Sequence, residues 1–96
     1  MVSAGRLLVA ERDPELLELM VPVLRLAGHR VTAARDGLQT LGLWRNQHFD
    51  LVVLDMVLPR LTGIEVLHEM RADTERTPTA SYTAGSNSIQ TVGSAF

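Results

Sequence analysis

Cysteine is absent from the 96 residues, which excludes a disulfide framework and thiolate chemistry, fits a reducing compartment, and makes the cytoplasm the expected location. Lysine is absent too, so all nine basic residues are arginine. No stretch gathers them into the cluster that would neutralise a row of phosphates, and direct contact with nucleic acid is not expected. Net charge is only −2. No apolar run reaches the roughly 18 residues of a membrane span, and no basic stretch followed by an apolar core opens the chain. Neither a membrane nor an export role is expected. What is present is an ordinary globular balance, 46% hydrophobic and 21% charged, in a chain long enough for one core and too short for two.

The apolar residues fall into alternating short runs and helical periods. Leu7-Leu8-Val9-Ala10 is a run with polar residues on both sides, the pattern of a strand buried on both faces. Asp13-Pro14 follows and signals a helix start, because the carboxylate can accept orphan backbone N–H groups and proline suits the first helical position. A helix is expected to about Ala27, with Leu16, Leu17, Met20, Val23 and Leu24 on it, Pro22 weakening a turn, and Gly28 closing it. A second strand is expected over residues 30–34, and Asp36-Gly37 turns the chain into a helix over 38–47. Phe49-Asp50-Leu51-Val52-Val53-Leu54-Asp55 is the strongest strand pattern, an aliphatic run ending abruptly in a carboxylate. Ile64, Leu67 and Met70 then recur at helical spacing, and residues 79–83 make a more polar fourth strand. From Gly85 onward Gly, Ser, Asn, Thr and Gln dominate, so residues 85–96 are expected to be a polar, irregular tail.

Alternation of strands with helices implies parallel strands with helices on both faces, a small doubly wound α/β sheet. In such sheets reactive side chains gather where strands end at the carboxyl edge. Glu11, Arg12, Asp13, Asp55 and Thr83 all fall at such ends. Asp13 is expected to cap the helix rather than to bind a ligand. His29, His48 and His68 have no metal-ligand spacing and are expected at the surface, while Trp44 and Met70 sit on apolar faces as core.

Three blocks resemble the response-regulator receiver family. They are Leu7-Leu8-Val9-Ala10-Glu11-Arg12-Asp13-Pro14, then Leu51-Val52-Val53-Leu54-Asp55-Met56-Val57-Leu58-Pro59-Arg60-Leu61-Thr62-Gly63, and finally Thr77-Pro78 through Thr83-Ala84. The resemblance covers about residues 6–84 and implies a flavodoxin-like receiver domain over residues 1–84, with residues 85–96 a truncated or rearranged end lacking the fifth strand and last helix. It implies a signalling module rather than an enzyme, accepting a phosphoryl group on Asp55 from a histidine kinase or a histidine phosphotransfer protein. Thr83 would hydrogen-bond that group, and the change would pass to an output domain or partner protein. An aspartate carboxylate is a competent nucleophile for an acyl phosphate, and cations assist by neutralising the moving oxygens.

The resemblance also implies Mg²⁺ held by Glu11, Asp55 and the backbone carbonyl of Val57. At the neighbouring position, where the family carries a second acidic residue, stands Arg12, whose guanidinium is a possible substitute for the metal. The lysine that the family places at the end of its fifth strand has no counterpart. These departures leave open a pseudo-receiver that keeps the fold as an interaction module. A phosphatase of the haloacid-dehalogenase type also uses a strand-terminal Asp, but it requires an Asp where Val57 stands. A receiver without its last strand and helix would leave Leu17, Val21, Leu24 and a strand edge uncovered, so a homodimer or strand-swapped dimer is expected.

Overall fold

A computed structural model describes residues 5–73, 80–84 and 89–92. The elements run β1 (Arg6–Ala10), α1 (Pro14–Leu26), β2 (Arg30–Ala34), α2 (Gly37–Asn46), β3 (Leu51–Asp55), α3 (Gly63–Ala72), β4 (Ala80–Ala84) and β5 (Ile89–Val92). The sheet order is β2-β1-β3-β4-β5. The first four strands in that order pair in parallel, so the chain reverses its direction of winding between β1 and β3. A crevice therefore opens at their carboxyl ends, as in flavodoxin-like sheets.

Local chemistry sets the helix boundaries. The Asp13 carboxylate accepts the Glu15 N–H at 2.9 Å, with Pro14 at the first helical position of α1. Pro22 lies within the continuous α1, where its missing N–H leaves the carbonyl one turn earlier without its helical donor. Gly28, at φ 98°, supplies the left-handed residue that turns the chain into β2. Asp36 caps α2 by accepting the Gln39 N–H at 2.7 Å. Thr62 and Glu65 form a reciprocal capping box at the start of α3.

Alternation along the central strands divides the core in two. Leu8 and Ala10 of β1 and Val52 and Leu54 of β3 face α2 and α3, where they pack with Leu41, Trp44, Phe49, Leu58, Val66 and Met70. Leu7 and Val9, with Leu51 and Val53, face α1 and pack with Leu17 and Val31. Leu17 is buried, and Val21 and Leu24 are half-buried against this second cluster rather than exposed. Trp44 and Met70 are core, as expected.

Within the segment 85–96, expected to be an irregular tail, the described residues depart from that expectation, because Ile89–Val92 form β5 on the edge of the same sheet. Ile89, Thr91 and Val92 have the side chains that strands favour. β5 runs antiparallel to β4, with Thr83 opposite Gln90 and Ala84 opposite Ile89. Only residues 85–88 separate the strands, whereas a parallel pairing needs a crossover of about a dozen residues or more. This antiparallel strand is therefore not the family's usual fifth strand, which the chain was expected to lack. No helix follows α3 among the described residues, and none of their helices is long and apolar enough to cross a membrane.

Candidate functional site

The register of the central strands creates the site. Ala10 pairs with Leu54, so Glu11 leaves β1 beside Asp55 as β3 ends. The backbone of β1 continues one step further, with the Glu11 N–H bonded to the Ala34 carbonyl at 3.0 Å, before turning into α1. Arg12 and Asp13 then occupy the short turn that leads over the carboxyl edge.

Asp55 is largely enclosed, with 14% of its side chain exposed, yet it lies at the open crevice. Its Oδ1 accepts the Val57 N–H at 3.0 Å, which fixes the carboxylate against the following loop and leaves Oδ2 facing Arg12. The Arg12 Nε lies 4.0 Å from Oδ2, and the Arg12 side chain is 57% exposed. This is a loose ion pair rather than a hydrogen bond, worth little to stability where solvent screens it. Its value is local: a positive charge stands beside Oδ2 of a largely enclosed carboxylate.

Glu11 completes the cluster. Its Oε2 accepts the Asp13 N–H at 3.0 Å. Partial burial holds the Glu11 carboxyl above its ordinary pKa, opposed by that N–H and reinforced by the hydrogen bond and negative charge of Asp55. Asp13 is committed to the cap of α1, as its position before proline leads one to expect.

The loop after Asp55 is pinned by features that sequence patterns reveal only in part. The backbone N–H of Gly63 bonds the Met56 carbonyl at 3.0 Å, and a Cβ on Gly63 would collide with the Asp55 carbonyl oxygen. The Gly37 N–H bonds the Pro59 carbonyl at 3.0 Å, and a Cβ there would collide with the Leu61 backbone. Both glycines are thus needed for close backbone approach. Leu58 is buried at the base of the loop, and Arg60 adopts φ 71°, with its Nε 3.8 Å from Asp36. The Thr-x-x-Glu spacing of the capping box is readable in the sequence, but neither glycine's contact partner nor the Arg60 backbone has a local signature.

Of the residues singled out from the sequence, Glu11, Arg12 and Asp55 come together, and Val57 contributes its N–H to Asp55 while half of its side chain remains exposed. Thr83 is placed by its backbone: it pairs with Leu54, one register step before Ala84 meets Asp55. Its side chain lies outside the described residues. His68 is exposed on α3, His48 lies 3.4 Å from Asp50, and the His29 Nδ1 accepts the Gly5 N–H at 3.1 Å. His29 and His48 lie by the amino ends of the strands, opposite the edge where Asp55 stands, and no group of three or more metal-ligating side chains forms among the described residues.

Residues 7–96 match the family model of the response regulator receiver domain. A probable transcriptional regulatory protein of Mycobacterium tuberculosis, TcrX, is 38% identical over 77 residues, 80% of this chain and 33% of that protein. The DNA-binding response regulator MtrA of Mycolicibacterium smegmatis is 38% identical over 87 residues, 91% of this chain and 38% of that protein. The chain thus spans about a third of the length of these relatives. Among solved structures, the response regulator TrrA of Thermotoga maritima, in complex with Mg²⁺ and BeF, superposes with a TM-score of 0.70 at 28% identity, covering 81% of this chain and 64% of that one.

Proposed function

The chain belongs to the response-regulator receiver family, and from that premise we propose that Asp55 accepts a phosphoryl group from a phosphohistidine on a kinase or phosphotransfer protein. The Oδ2 of Asp55 attacks phosphorus as the P–N bond to the donor imidazole breaks. The bonding pair leaves with the imidazole nitrogen, and the product is an acyl phosphate on Asp55 with a neutral donor histidine after proton exchange. One observation carries this reading: a strand-terminal carboxylate, enclosed but open at the crevice, with one oxygen held by the Val57 N–H and the other turned toward a cation. Thr83, one residue before the end of the adjacent strand, is the residue to hydrogen-bond the new group and draw its loop inward.

Asp55 is modified once per signal rather than turned over, so the chain acts as a switch and not as an enzyme. The new charge would act on the carboxyl-edge loops and so alter what docks there. The relatives' transcriptional and DNA-binding names point to gene expression as the output of a larger protein, with DNA contact made elsewhere than in this arginine-dispersed stretch. A second copy of the chain is the further partner we propose, docking on the outward residues Leu19, Val23 and Leu26 of α1, which recur at helical spacing and are exposed. Receiver membership displaces the phosphatase reading, whose second Asp is Val57 here.

Intact mass spectrometry after incubation with acetyl phosphate tests the proposal. A single phosphoryl gain is expected, absent in Asp55→Asn and retained, with a changed lifetime, in Thr83→Ala. Absence of any gain would leave the pseudo-receiver as the reading to pursue.

A further inference from the structure

Phosphoryl chemistry at a carboxylate calls for a cation, and Mg²⁺ asks for near-octahedral oxygen ligands at about 2.0–2.1 Å. The residues at this crevice fit that demand poorly. Asp13, the third carboxylate near the turn, is occupied in capping α1 through the Glu15 N–H. Glu11 has one oxygen on the Asp13 N–H, and Asp55 has one on the Val57 N–H. The remaining oxygen of Asp55 faces the Arg12 guanidinium, and the Glu11 carboxyl is already engaged with Asp55 through a side-chain hydrogen bond. Three carboxylates and one guanidinium leave a formal charge of −2 near the turn, but Asp13 is held at the cap of α1, and a dication approaching Asp55 would have to do so against Arg12.

We propose that Arg12 is the resident counter-cation of Asp55, so that the crevice excludes Mg²⁺ and receives a phosphoryl-like group on the guanidinium instead. Guanidinium presents planar N–H donors suited to phosphate oxygens and keeps its charge at every physiological pH. With Nε 4.0 Å from Oδ2 and more than half of the side chain exposed, Arg12 is near enough to neutralise the carboxylate and loose enough to swing onto an added group. The exclusion of Mg²⁺ stands on this geometry alone. The binding of a phosphoryl-like group rests in addition on the reading of Asp55 as the acceptor.

Calorimetric titration of MgCl₂ into the wild type, Arg12→Gln and Arg12→Asp, with folding checked by circular dichroism, tests the first half. The wild type is expected to show no saturable binding at millimolar Mg²⁺, while Arg12→Asp gains a site at least about tenfold tighter, since affinity follows the charge count of the ligands. Arg12→Gln should fall between them. Equal binding by the wild type and Arg12→Asp overturns the exclusion.

Fluoroberyllate, titrated with and without Mg²⁺, tests the second half. Binding by the wild type without the metal, lost in Arg12→Gln, is the expected result. Binding by the wild type only when Mg²⁺ is present, or unchanged in Arg12→Gln, overturns it, as does no binding under either condition. Failure of acetyl phosphate to label Asp55 would defeat the phosphoacceptor reading while leaving the Mg²⁺ titration fully decisive for Arg12.

Discussion

The two faces of the sheet are built to different depths. Toward α2 and α3, Leu8, Phe49, Val52, Leu54 and Val66 are each at most 1% exposed, and two helices cover the strands. Toward α1, one helix among the described residues covers Leu7 and Val9, and Leu51 and Val53 stay half-buried. The same helix turns Leu19, Val23 and Leu26 outward at 69%, 65% and 89% exposure. The deep face anchors the loop that follows Asp55, through Leu58 and the glycine contacts, so rigidity is concentrated where a carboxylate must be held in place. The shallow side leaves apolar surface of α1 exposed. Packing in this molecule thus separates the part that holds the Asp55 carboxylate from the part that leaves apolar side chains exposed.

The largest effect should come from hollowing the deep face. Phe49→Ala is expected to cost about 3–5 kcal/mol in urea unfolding, the range for deleting a buried aromatic side chain, whereas Leu26→Ala should stay within about 0.5 kcal/mol. Comparable losses at both positions would erase the distinction between the faces. Next in size is Gly63→Ala, where a methyl group must displace the Asp55 carbonyl. We expect a loss of about 1–3 kcal/mol, typical of forced overpacking, together with slower labelling of Asp55. Sedimentation of a Leu19→Arg, Leu26→Arg double variant addresses the shallow face: a wild-type dimer should become monomeric with unchanged unfolding behaviour. Smallest is Arg60→Gly, which removes a side chain from a left-handed backbone and a loose pair with Asp36. A net gain of up to about 1 kcal/mol is expected.

The two ends of the strands differ electrostatically as well. At the carboxyl edge Glu11 is held above its ordinary pKa of 4.5, chiefly by burial. The folded state therefore binds its proton more tightly than the unfolded chain, and stability falls as pH rises from 4.5 through the folded pKa. At the opposite edge Asp50 lies below its ordinary 3.8, chiefly because its carboxylate accepts the Arg6 N–H, with His48 assisting. That contribution is present above 3.8 and is lost as pH falls through the lower folded value. Glu11→Gln should accordingly stabilise the protein at neutral pH and flatten the decline above 4.5, while Asp50→Asn should weaken it at neutral pH and leave that decline intact.

Much of this was legible in the sequence because the signals are local. The Leu51-Val52-Val53-Leu54-Asp55 run, the Asp13-Pro14 start and Gly28 each carry their own backbone instruction, and the strand and helix boundaries differ from expectation by only a residue or two at most ends. Glu11, Arg12 and Asp55 could be brought together in advance because parallel strands align their ends at one edge. β5 was hidden because its polar neighbours mask a short strand that gains its pairing from β4. The roles of Gly37 and Gly63 were hidden for a different reason. Each depends on which distant backbone lies against it, and composition does not record that.

Borohydride reduction of the acetyl phosphate-treated protein, followed by peptide mass mapping, tests the central claim most directly, because reduction of an aspartyl phosphate leaves homoserine in its place. Homoserine at position 55 is the predicted result. Reduction product at another carboxylate such as Glu11 or Asp13, with Asp55 intact, would contradict it.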